Sequence, residues 1–399
     1  KKTARQLLRD IWIPAFGAVC ALLALFALYI YRITDLLPGF STSERVAIAG
    51  AKSAATIMDN PLYAPHKVLQ YVFTRLDHTG FIAMRGVSIV IALAVISLFF
   101  FTVRRWFSFR VAALSTVLFA SSSWMLHIAR LATPDIMMLS IMAAIAYGAW
   151  LPRTKKHKTA VALGFALVVW LLYIPGLVWF VLIGGIWQRK TILRVLKNEK
   201  AVFAVIIVGL LAVLGPILYA VYNDPALLKA YLGLSISPLS QIIEVPKRLL
   251  LIPVKLAILN SPPNPVYGIG RLPLLDVFTV GMVVLGIYNY YVNDRLLDRS
   301  KLLLGGIALA SGLYALGGQV GIQILMPFVF LLVASGIAFM LGQWFKVFPS
   351  NPFAAILAGV LLVAAVVTVI SYNINSYFVA WPSMPATRAA FDQKPPRQQ

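Results

Sequence analysis

Residues 84–103 read MRGVSIVIALAVISLFFFTV, twenty positions with one charge, Arg85, near the start. A helix of that length rises about 30 Å, the thickness of a bilayer's hydrocarbon core. Apolar residues fall on every side of its 3.6-residue repeat, so no face of it is made for water. Working outward, comparable runs recur at about Ile11–Tyr31, Val111–Ile128, Ile136–Leu151, Ala160–Tyr173, Gly176–Trp187, Ala201–Tyr222, Val277–Val292, Leu302–Gly318, Ile322–Leu341 and Phe353–Ser371. The reading is an all-α polytopic membrane protein of about eleven transmembrane helices, forming one domain over residues 1–371. The two pieces flanking Ile174-Pro175-Gly176 are short and are expected to form a hairpin. Composition agrees: 60% of the 399 residues are hydrophobic, 12% are charged and mean hydropathy is +0.86. Roughly 25% charge is usual in soluble domains, which excludes that class.

The charge is lopsided, with 35 Lys+Arg against 13 Asp+Glu, a net +22. The basic residues sit at the ends of apolar runs and form no aromatic-interleaved face, so nucleic acid is not an expected partner. With the N-terminus inside, about 20 Lys+Arg fall on roughly 60 inner-loop residues and about 15 on roughly 140 outer ones, as the positive-inside rule requires. The chain is expected in the plasma (inner) membrane, with residues 372–399 as a loosely ordered outer tail that is polar and Pro-rich after Trp381. Lys1, Lys2, Arg5 and Arg9 precede the first run, which lacks a small-residue cleavage site and is expected to stay as a helix. Cys20, the one cysteine, allows no intrachain disulfide and no cysteine-based metal cage.

Two outer segments, residues 32–80 and 223–276, are far longer than ordinary connectors. Nine of the 13 acids fall outside (Asp35, Glu44, Asp59, Asp77, Asp135, Asp224, Glu244, Asp276 and Asp392), as do His66, His78 and His127. Polar chemistry is therefore expected at the outer face. In the first loop, Ser41-Thr42-Ser43-Glu44 has the form of a capping box that opens one amphipathic helix, ended by Asp59-Asn60-Pro61. Pro65 starts a second, with Val68, Leu69, Val72, Phe73 and Leu76 as its apolar stripe. Such helices lie in the membrane interface. The third run ends in His127-Ile128-Ala129-Arg130-Leu131-Ala132-Thr133-Pro134-Asp135, which gathers a base, a cation and an acid in nine residues.

In this order and on this side of the membrane, three stretches resemble a known family: Leu37-Pro38-Gly39-Phe40-Ser41-Thr42-Ser43-Glu44, Asn60-Pro61-Leu62-Tyr63 and His127 to Asp135. The family is that of GT-C fold glycosyltransferases that take sugar from a polyprenyl-phosphate carrier. The likeness is greatest to the dolichyl-phosphate-mannose protein mannosyltransferase-like (family 39) and aminoarabinose-transferase-like branch. The hairpin at Tyr173-Ile174-Pro175-Gly176 and the late Ile322-Gln323-Ile324-Leu325-Met326-Pro327 look similar too. Two departures stand out: the family commonly has Asp-Glu where this chain has Ser43-Glu44, and a Lys where it has Asn60.

The resemblance implies an inverting transfer in which an outer carboxylate deprotonates the acceptor as the anomeric carbon loses its phosphate. Glu44 is the first candidate base, with Asp35 and Asp59 as the alternatives that the missing family Asp leaves open, and Asp135 shapes the acceptor site or shares a metal. Arg130, His127 and Arg271 are candidates for the donor phosphate, and Asn60, Tyr63 and His66 for other substrate contacts. Lys247, Arg248 and Lys255 are further cations for the departing phosphate, but they flank an apolar run and snorkelling at the interface is the favoured reading for them. A divalent cation (Mg2+ or Mn2+) would touch Glu44, Asp59 or Asp135 and complete its shell with water or phosphate oxygens. The expected partners are a polyprenyl-phosphate-linked sugar, membrane lipid and an acceptor that is protein, lipid or glycan. No Walker, H-E-x-x-H, C-x-x-C or G-x-S-x-G pattern occurs. The competing classes are a transporter or flippase and a non-catalytic binder of lipid-linked sugars. A transporter is disfavoured because the spans carry almost no central charge and no internal repeat.

Overall fold

A computed structural model describes residues 13–76, 81–151, 157–189, 200–234, 243–293, 297–349 and 351–391. Asp77, His78 and Asp392 lie outside the described residues, as do the basic residues at 1–9. Helices occupy each of the eleven expected runs, and among the described residues the extended pairing is a single bridge, Leu234 with Gly317. Among the described residues, four helices are long and apolar enough by themselves to cross a bilayer: Ile82–Trp106, Ile206–Asn223, Ile322–Val347 and Ile356–Ser383. Phe109–Ser121 and Ser123–Ala129, bent by 60° at their junction, make a fifth if taken as one span. The helix Lys200–Asn223 shows what surrounds it. Val208, Leu211, Leu218 and Tyr222 are all exposed, and an apolar helix with its large side chains outward belongs in lipid. The chain is an integral membrane protein.

The core is built around Met326–Val347, which packs along Val277–Val292. Two glycines set that crossing. A Cβ on Gly286 would lie 2.0 Å from the Leu332 carbonyl oxygen, and one on Gly336 would lie 2.0 Å from that of Met282. Without side chains there, the two backbones meet directly, and Asn289 Nδ2 donates to Ser335 Oγ at 2.9 Å across the seam. The helix Phe81–Trp106 is the second axis and packs against Phe109–Ser121, Ile141–Trp150 and Ala64–Leu76.

The first outer loop has three short helices where two were expected, Thr42–Ala49, Ala54–Asp59 and Ala64–Leu76. The first ends at Gly50. Ser53 then opens a new one, its side chain accepting from Thr56 N while Thr56 Oγ1 accepts from Ser53 N. The last apolar segment also differs from its expected form. Pro352–Asn375 runs on into a π turn, Ser376–Ala380, and the short helices Trp381–Ser383 and Pro385–Phe391. Trp381 and Phe391 are fully buried, so residues 372–391 dock on the protein and are no loose tail. The polarity of the segment hid two aromatic anchors.

Candidate functional site

The turn between Ala129 and Asp135 organises the polar residues. Its N-terminal side is set by Ser122, whose hydroxyl accepts from Met125 N and starts the short helix Ser123–Ala129. Beyond it, Pro134 begins a 3-10 helix, Pro134–Ser140, with Asp135 in its first turn.

Glu44 braces this turn from the loop side. Its Oε1 accepts from Arg85 Nε at 2.8 Å and from Ala132 N at 3.0 Å. Its Oε2 accepts from Arg85 Nη2 at 3.1 Å, Ser41 N at 2.9 Å and Ser41 Oγ at 3.2 Å. Arg85 also donates to the carbonyls of Ile33 and Gly39. Glu44 is 0% exposed, and five donors fill its lone pairs. The capping box is therefore present and is part of a larger knot that joins the first loop, the 81–106 helix and the turn. Sequence reading passed over Arg85, although a lone cation inside an apolar span is itself a signal.

Asp135, by contrast, faces open space. It lines a cavity of about 390 Å3 with Arg248, Lys255, Tyr314, Gln323 and the backbone of 317–321. Gln323 Nε2 donates to its Oδ1 at 3.1 Å, and the Tyr267 hydroxyl makes a short hydrogen bond to its Oδ2. Burial first, then the charge of Asp135, pushes the Tyr267 phenol well above its usual range, so it stays a donor. Tyr63 lies close enough to feel the same field and is shifted the same way, again chiefly by burial.

The cations come from the helix Val245–Ala257. Arg248 and Lys255 are two turns apart and share a face with the buried Ile252, while Lys247, Leu249 and Leu250 point outward. Lys247 points outward as an interfacial residue would, whereas the face with Arg248 and Lys255 packs against Leu297–Ala315, which turns both toward the cavity. Lys255 Nζ donates to the Tyr314 hydroxyl at 2.9 Å, and Arg248 pairs with Glu244 at 2.9 Å. The far wall is backbone, made possible by Gly176 and Gly233, both at left-handed φ and in contact with each other and with Val320.

The remaining candidates lie elsewhere. His127 is buried, its Nδ1 2.6 Å from the Ser123 carbonyl and its ring edge-on to Tyr377 and Trp381. Arg130 is buried under Tyr377 and Phe378. Arg271 is exposed, and its carbonyl accepts from Asn260 N. Asn60 is exposed too; its side chain caps Leu62 N and its carbonyl takes Lys67 Nζ at 2.6 Å. His66 Nε2 lies 3.2 Å from Ser88 Oγ, whose hydroxyl donates to the Thr133 carbonyl. Burial, helped by the Lys67 charge, lowers its pKa to about 4 and keeps the ring neutral. Among the described residues no three His, Cys, Asp or Glu side chains gather as a metal site. Glu44 is saturated and Asp59 exposed, so the three metal candidates make no ligand set.

No protein-family model matches the chain, and no curated protein matches it. Its fold is similar to the crystal structure of ArnT from Cupriavidus metallidurans in the apo state: 11% identity, TM-score 0.49, 94% of this chain and 77% of that one. It is likewise similar to the structure of that ArnT bound to undecaprenyl phosphate, at 12% identity and TM-score 0.44 with the same coverage.

Proposed function

We propose that this protein is a membrane glycosyltransferase that moves a sugar from a polyprenyl-phosphate donor to an acceptor hydroxyl, in the cavity beside Asp135. The observation that carries this reading is the cavity itself, where one oriented carboxylate meets two cations at the rim of an apolar helix bundle. Arg248 and Lys255 supply positive charge for a departing phosphate. Asp135, held by Tyr267 and Gln323 through one lone pair on each oxygen, keeps others for an acceptor proton. As the acceptor oxygen bonds to the anomeric carbon, the bond from that carbon to the phosphate oxygen breaks. The proton passes to Asp135, and the phosphate leaves with the bonding electrons and the lipid. A single displacement of this kind inverts the anomeric centre.

In this account Glu44 is a positioning residue, because every donor around it is used to hold the turn that presents Asp135. The charge asymmetry of the loops favours an outer-face site with the N-terminus inside. The test uses purified protein with a panel of radiolabelled undecaprenyl-phosphate-linked hexoses and pentoses. Transfer of label from lipid to acceptor or water is expected, with donor affinity at least tenfold weaker in Arg248→Gln/Lys255→Gln. Movement of intact lipid-linked sugar across vesicles with no cleavage would make the protein a flippase instead.

A further inference from the structure

Arg130 is a buried cation whose counter-ion is missing. It is 2% exposed, yet among the described residues it pairs with no carboxylate. Its Nη2 donates to the Tyr31 carbonyl at 2.5 Å, while Nε and Nη1 have no partner. The cations that reach it, Arg85 and Arg32, add to the cost of its charge, and the groups that ease it are the phenols of Tyr377 and Tyr29, not a carboxylate. Glu44 is spent on Arg85, and Asp35 on Arg32. What covers the guanidinium is aromatic: its carbon lies 5.0 Å from the Tyr377 ring centroid and 4.6 Å from that of Phe378. Nearby, His127 Nε2 is buried and also unpartnered. Uncompensated charge in a protein interior is strongly destabilising, so a fold that keeps one has a use for it.

A groove of about 530 Å3 runs between Ile13–Ile30 and Pro352–Asn375, lined by Ala27, Leu28, Tyr31, Ile374 and Phe378. It is apolar, and two of its residues, Tyr31 and Phe378, touch Arg130. Their rings meet edge to face at 5.4 Å. Phe378 and Tyr377 are carried by the π turn Ser376–Ala380, a local break in helical register of a kind common at functional sites.

We propose that this is a second lipid site, separate from the transfer cavity, for a lipid with a phosphate head: the chain lies in the groove and the phosphate pairs with Arg130. A phosphate oxygen there would accept a charge-assisted hydrogen bond from one of the two unpartnered donors, Nε or Nη1. In the structure Phe378 lines the groove and covers the cation, so the site is closed and opens when the π turn swings that ring aside. The occupant is a lipid and not a free anion, because the approach to the arginine is apolar.

The test measures binding of radiolabelled undecaprenyl phosphate to the purified full chain in phosphatidylcholine nanodiscs. Two lipids per chain are expected. Arg248→Gln/Lys255→Gln removes one, as the proposed function requires, and Arg130→Met removes the other independently, so the two claims fail separately. Arg130→Met is also expected to raise the melting temperature of the lipid-free protein, since it deletes an unpaired charge; an arginine with only a structural role would give a fall. Phe378→Ala, which uncovers the cation, is expected to tighten Arg130-dependent binding at least threefold. Unchanged stoichiometry and a lowered melting temperature in Arg130→Met would overturn the proposal. Inorganic phosphate stabilising the wild type as much as the lipid does, through Arg130, would overturn the lipid assignment.

Discussion

Glu44 and Arg85, forty-one residues apart, form a buried ion pair at 2.8 Å whose side chains are 0% and 3% exposed. The pair ties the loop after the first helix to the start of the 81–106 helix, and through Ala132 N to the turn ahead of Asp135. Removing one partner leaves the other charged and dry. Glu44→Gln and Arg85→Met are each expected to destabilise the protein by about 3–5 kcal/mol. The double variant Glu44→Leu/Arg85→Met should lose less than the sum, because it strands no charge. Thermal unfolding of the three proteins in one detergent reads the coupling; simple additivity would mean the pair does not act as a unit.

The seam between Val277–Val292 and Met326–Val347 gives a second expectation. Alanine at Gly286 or Gly336 puts a methyl 2.0 Å from a backbone carbonyl oxygen of the facing helix, which no rotamer can relieve. Either change forces the helices apart and should lower the melting temperature sharply, while Gly281→Ala, with open space around it, should not.

His66 makes stability depend on pH with a definite sign. Its pKa is about 4 when folded, against 6.5 when free, so between those values the unfolded chain holds the extra proton. Stability is therefore lost as pH falls from about 6.5 to about 4 and changes no further below that. A shift of this size is worth about 3 kcal/mol. Melting curves of wild type and His66→Gln across pH 4–7 should show the wild type losing relative stability toward acid; parallel curves would refute the assignment.

Trp381 anchors the segment after the last long helix. Its indole Nε1 donates to the Pro265 carbonyl at 2.8 Å, two residues before Tyr267, and its ring is fully buried between Tyr377 and Phe391. Trp381→Ala is expected to cost about 3–5 kcal/mol. Trp381→Phe should keep most of the packing but loosen the 265–267 backbone, which hydrogen exchange of that loop would report.

Much of this architecture is legible in the sequence because lipid imposes a simple code: every apolar run holds a helix, and Ser41-x-x-Glu44 caps one as its pattern says. The turn with Asp135 was legible too, since a base, a cation and an acid in nine residues stand out in an apolar chain. What sequence hides is long-range pairing. Arg85 reaches Glu44 and Tyr267 reaches Asp135 across forty-one and 132 positions, and neither partner carries a local mark of it. The splitting of Lys247, Arg248 and Lys255 depends on which helix face packs inward, and that is decided by the 297–315 helix opposite. Trp381 and Phe391 were masked by the polar residues around them.

In the proposed mechanism Asp135 takes the acceptor proton in a cavity where Arg248 and Lys255 receive the phosphate. The most direct measurement compares sugar transfer by wild type, Asp135→Asn and Glu44→Asp from one undecaprenyl-phosphate-linked sugar, with donor binding measured on the same samples. The account predicts that Asp135→Asn binds donor as well as wild type does but transfers at least 100-fold more slowly, about the contribution of one general base. Glu44→Asp, if it folds, should keep the wild-type shape of the rate against pH, because its charge only holds the turn. Wild-type transfer by Asp135→Asn, or an acidic limb of the pH profile that moves with Glu44 and not with Asp135, would contradict it.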